Sequence, residues 1–143
     1  MPPTKNQLNP VPEFLDGKIV VEHLLGKTVE DAVALLEEND LTFSEDYMWM
    51  GPEAFCYYAP ALVRYLQSDA ANGDDLFPYH MLITFRLRLD EDGARVAAVF
   101  PTIEEFCKIV EEQSDRLGFS EDGVRRARRR IAEVRSRLAA IRR

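Results

Sequence analysis

The chain has 143 residues, 46% hydrophobic and 30% charged, with a net charge of -7; this is the balance of one ordinary globular domain and excludes a disordered chain. Its longest apolar runs, such as 19–21 and 81–83, fall far short of the roughly 20 residues a bilayer-spanning helix needs, and its first residues carry no apolar leader, so we expect a cytoplasmic protein with no membrane partner. The charge is uneven: residues 1–124 hold 9 Lys+Arg against 24 Asp+Glu, net -15, while residues 125–143 hold 9 Arg against Glu133 alone, net +8.

Residues 1–12, with Pro2, Pro3, Pro10 and Pro12, show no period and predict an extended arm. The stretch 13–25 is short and mixed, readable as strand or helix. Thr28 followed by Asp31 resembles a capping box, and Val29, Ala32, Val33, Leu35 and Leu36 follow at helical spacing, predicting a helix over 29–39 that stops at Asn39. Gly51-Pro52 opens a second helix lined by Phe55, Tyr58, Leu62, Tyr65 and Leu66. Pro60 lies inside it and removes the bond to the Cys56 carbonyl, which predicts a kink or a split near Tyr58 and Ala59.

The region 76–99 carries two patterns. Met81, Ile83, Phe85, Leu87 and Leu89 alternate with more polar neighbours and are followed by Asp92-Gly93, which predicts a β-hairpin over residues 81–99. The near-continuous apolar run 76–83, opened by Asp74, Asp75 and Pro78, suits a buried helix. Further on, Thr102 and Glu105 form a capping box before Ile103, Phe106, Cys107, Val110 and Leu117, with Gly118 as the stop. Ser120 caps the last helix, 121–142, in which Val124, Ala127, Ile131, Val134, Leu138 and Ile141 recur in steps of three and four. The fold class that results is mainly α: a compact helical domain with at most one β-hairpin and a long arginine-rich C-terminal amphipathic helix.

Functional signals are sparse. In that last helix, the positions flanking the apolar seam include Arg128, Arg130, Arg135, Arg137 and Arg142. Like charges there disfavour a parallel self-pairing coiled coil. The default is docking on the acidic body of the same chain, beside residues such as Glu104, Glu105, Glu111, Glu112 and Asp115; otherwise the arginines form a surface for an acidic protein partner. Nucleic acid is a poor partner, since the acidic body repels phosphate and no aromatic residue lies among the arginines.

The aromatic cluster around Tyr47-Met48-Trp49-Met50 reads first as core, and second as a ligand pocket using Trp49, Glu53, Tyr58, Arg64 and Tyr65. Cys56 and Cys107 have no CxxC spacing, and His23 and His80 belong to no catalytic or metal motif. Asp90-Glu91-Asp92-Gly93 fails as a calcium loop, because the first and twelfth ligand positions would be Arg88 and Val99. No cofactor, metal site or catalytic set is indicated.

Gly51-Pro52-Glu53-Ala54-Phe55, Tyr57-Tyr58, Pro60-Ala61 and Tyr65-Leu66 together resemble the signature of a family of small bacterial proteins, a domain of unknown function. The likeness covers about a sixth of the chain. It implies an α-rich fold of bacterial origin, draws residues 76–89 towards helix, and brings no activity or site residue with it. The function these readings favour is a non-catalytic protein-interaction or accessory domain, of the kind that immunity and antitoxin proteins represent. The alternative is a small-molecule binding or enzymatic domain at Trp49, Tyr58 and Arg64.

Overall fold

In the computed structural model, which describes residues 1–142, the chain forms eight α-helices and two short 3-10 segments, and no strand is present among those residues. The helices are α1 (Lys5–Leu8), α2 (Leu15–Leu24), α3 (Val29–Ser44), α4 (Asp46–Trp49), α5 (Pro52–Gln67), α6 (Leu76–Asp92), α7 (Phe100–Glu112) and α8 (Glu121–Arg142). They surround one hydrophobic core in which Phe55, Tyr58, Leu62 and Leu66 of α5 meet Phe77, Met81, Leu82 and Phe85 of α6 and Phe106 of α7.

The expected hairpin is a helix. Residues 76–92 are α6, and 93–99 are a 3-10 segment. The alternation from Met81 to Leu89 misleads because both phases of it are buried: Leu82, Thr84 and Arg88 lie inside along with Met81, Phe85 and Leu89. Paired positions 77/78, 81/82, 84/85 and 88/89 recur with the period of a helix, and a strand would have exposed one phase.

The amino-terminal segment is also more ordered than an extended arm. Thr4 and Gln7 close a capping box around α1, and Leu8 is fully buried. The Gly51 amide donates to the Gln7 carbonyl at 3.0 Å, which fastens this turn to the start of α5.

Asn39 does mark a break, with φ -158° and ψ 87° inside α3. The chain resumes helix at once, because the Asn39 side chain accepts from the Thr42 amide at 3.2 Å and so caps a second piece that ends at Ser44. Pro60 does not split its helix: α5 is continuous from Pro52 to Gln67. Nor does Thr102 cap α7, whose first residue is Phe100 with Pro101 in the first turn; the 3-10 segment runs straight into it, so Thr102 is already interior. α7 stops at Glu112, short of Gly118.

α8 docks on the body. Ala127, Ile131, Val134 and Leu138 are buried, and Ser120 Oγ accepts from the Gly123 amide at 3.0 Å. Arg130 meets Tyr79, Glu133 meets Arg86, and Arg137 meets Asp90. These pairs advance in the same sense along both helices, so α6 and α8 lie parallel, with α7 supplying the return. No helix among the described residues is long and apolar enough to cross a membrane.

Candidate functional site

Docking divides the arginines of α8 into two groups. Arg135 holds Glu111 through both terminal nitrogens, at 2.8 and 2.7 Å, and reaches Glu104 at 3.3 Å. Arg137 pairs with Asp90 at 3.1 Å, Arg130 lies over Tyr79 beside Glu133, and Arg142 stacks over Phe100. Arg128 is exposed and has no ion pair among the described residues; the same holds for Arg126 and Arg129. Four of the five arginines expected to receive a partner are therefore engaged within the chain.

The five residues of the expected aromatic pocket do not converge. Tyr58 is fully buried and donates its hydroxyl to the Leu24 and Lys27 carbonyls at 3.0 and 2.8 Å; Tyr65 is buried and donates to Asp74 at 3.0 Å. Burial pushes the Tyr58 phenol up to about 12. Arg64 pairs with Glu30 on the surface at 2.9 Å, and Glu53 is exposed. Trp49 stands elsewhere, 43% exposed at a different opening.

That opening is a cleft of about 710 Å³ between the 9–14 segment, α4 and the last turns of α6. Its rim carries exposed apolar side chains: Phe14, 60% exposed, with Val11, Trp49 and Leu87. Asp90, Glu91, Asp92 and Arg95 supply its charge, and Met48 and Met50 lie deeper. A neighbouring smaller hollow continues past Met48 to Leu41 and Glu45.

A single helical turn such as α4 has no stability of its own, so tertiary bonds must hold Trp49 in place. Three do. His23 Nδ1 approaches Asp46 at 2.8 Å, tying α2 to the first residue of α4. The Tyr47 hydroxyl donates to the Tyr58 carbonyl at 3.0 Å. Arg88, 4% exposed, donates from one terminal nitrogen to the Met48 and Met50 carbonyls on either side of Trp49.

Arg88 itself sits over the Phe55 ring at 5.0 Å and lies 2.7 Å from Asp92, an ion pair whose angle is poor for a hydrogen bond. Burial pushes the Arg88 guanidinium down and the Asp92 carboxyl up, the latter opposed by Arg88. Each neutralises the other, so the floor of the cleft presents no free charge. Nothing in the sequence singled out Phe14, Leu87 or Arg88 as members of one site. The nearest signal is Arg88 itself, a charge between two leucines in a run that must be buried.

Chemically the chain offers little to activate. Burial pushes the Cys56 thiol up and the Cys107 thiol up to about 12, the reverse of what a nucleophile requires. The His23 ring is spent on Asp46 and on an edge contact with Phe43. No group of three or more metal-ligating side chains gathers among the described residues. Among the described residues, fold and cleft together define a helical domain with an opening rimmed by apolar and aromatic side chains and lined by charged ones. No family model matches the chain, and no curated protein or solved structure matches it.

Proposed function

We propose that this is a non-catalytic protein-interaction domain that seats its partner on the cleft rimmed by Phe14, Trp49, Val11 and Leu87. One observation carries the reading: four large apolar side chains are left in water around a single opening. Clustered exposure of this kind marks interfaces, whereas scattered exposure is ordinary. The tethered backbone around Trp49 adds support, since a residue whose main chain is already fixed has only its side chain to order on binding.

The partner we propose is a basic protein, because residues 1–124 carry net -15 and such a field steers cationic surfaces towards it. A bacterial, cytoplasmic immunity or antitoxin-like role falls in this class. We favour the cleft over α8 as the binding face because Arg130, Arg135 and Arg137 are already paired within the chain. The test is affinity capture from the native host with wild-type bait and with Phe14→Ser/Trp49→Ser. A specific protein retained by the first and lost by the second is expected; identical capture by both, or none by either, removes the reading.

A further inference from the structure

We propose that the cleft recognises a segment presenting a lysine or arginine side chain beside an apolar one, with Trp49 and Glu91 receiving the cation. This rests on the partner-binding reading above and names the chemistry of its ligand.

The apolar half of the recognition follows from the rim. Phe14, Val11 and Leu87 are in water around an opening of about 710 Å³, room for a few side chains rather than a folded surface. The cationic half follows from what the cleft can and cannot offer. An anionic group would find the exposed Arg95 alone at the rim; the buried Arg88 has its charge opposed by Asp92 at 2.7 Å and one terminal nitrogen committed to the Met48 and Met50 carbonyls, although its Nε and other terminal nitrogen carry no hydrogen bond. A cation finds better partners. Trp49 presents an exposed indole, the strongest of the aromatic faces for a cation, and Glu91 lines the same cleft as an exposed carboxylate with no ion pair among the described residues. Asp90 is half committed, at 3.1 Å from Arg137. The opposing group is Arg95, exposed on the same lining, and it sets a natural control.

Trp49 is the one tryptophan of the chain, so its emission reads occupancy directly. The full chain is titrated with a short acetylated peptide alternating leucine and arginine, and with the same peptide carrying glutamate in place of arginine. Saturable change in Trp49 emission is expected with the first, and affinity at least roughly tenfold weaker with the second. Glu91→Lys should weaken the basic peptide about two- to fivefold and Arg95→Glu should tighten it by a similar factor, the range of one exposed charge pair. Both positions are on the surface, and unchanged circular dichroism confirms that the variants fold.

Equal affinity for the two peptides, preference for the acidic one, or no binding of either overturns the assignment. If host capture still depends on Phe14 and Trp49 in that event, partner docking stands and the cationic ligand falls; if capture also fails, both fall.

Discussion

Ile131→Ala tests whether α8 is an integral part of the fold. Ile131 is 2% exposed in the seam between α8 and the body, flanked by buried Ala127 and Val134. Removing three carbons from a filled core site costs about 2–5 kcal/mol, from lost transfer energy and the cavity left behind. A domain of this size has only about 5–15 kcal/mol to lose, and near its melting point 1 kcal/mol corresponds to roughly 3–5 °C. The variant should therefore melt about 6–25 °C below the wild type by calorimetry or circular dichroism at 222 nm. Arg129→Ala, two residues away on the exposed face, should stay within about 0.5 kcal/mol of wild type. If Ile131→Ala unfolds at the wild-type temperature, α8 is not docked and the division of its arginines into engaged and free is wrong.

Three further outcomes follow from single contacts. Arg135→Ala removes a two-pronged pair with Glu111 and a contact to Glu104, all partly in water; denaturant unfolding should show a loss of no more than about 1 kcal/mol, shrinking at high salt. Gly51→Ala would place a Cβ 2.4 Å from the Gln7 carbonyl oxygen, so it should loosen α1, seen as faster amide exchange at Leu8 with the α6 core unchanged. Burial pushes Asp40 up to about 6, helped by the neighbouring Asp74 carboxylate, and pushes Asp46 up against the pull of His23. A carboxyl raised on folding contributes stability that is full below its unfolded value near 4 and is lost as pH rises through about 6. Asp40→Asn and Asp46→Asn should each flatten that part of the urea midpoint against pH; a profile superimposable on wild type would contradict the assignment.

Much of the fold was legible because a few residues enforce it locally. Thr28 and Asp31 do form the capping box their spacing implies, and Ser120 begins α8. Where the sequence misled, two signals of equal local strength competed and burial decided between them. In 81–89 the alternation was real, but neighbouring helices of the same chain cover both faces, a circumstance absent from the segment itself. Thr102 had its Glu partner, yet the 3-10 segment before it had already begun the helix. The site was less legible than the fold. The arginines stood out by type, but their engagement depends on acids placed by α6 and α7. Trp49 lies at an opening, while Tyr58 and Tyr65, its companions in the sequence, are buried and spend their hydroxyls on the Leu24 and Lys27 carbonyls and on Asp74. Phe14 looked like part of an uncertain segment and turned out to wall the cleft.

The parallel pairing of α6 with α8 has a consequence for synthesis. A ribosome completes α6 some 30 residues before the helix that covers its flank, so the seam later filled by Ile131, Val134 and Leu138 spends that interval uncovered. The nascent chain passes through a stage in which α6 is made and half clothed, and folding closes only after the arginine-rich segment has cleared the exit tunnel. The buried stripe of Ala127, Ile131, Val134 and Leu138 sets which face of α8 turns inward, and the pairs of Arg135 with Glu111 and Arg137 with Asp90, on two different helices, mark its edges.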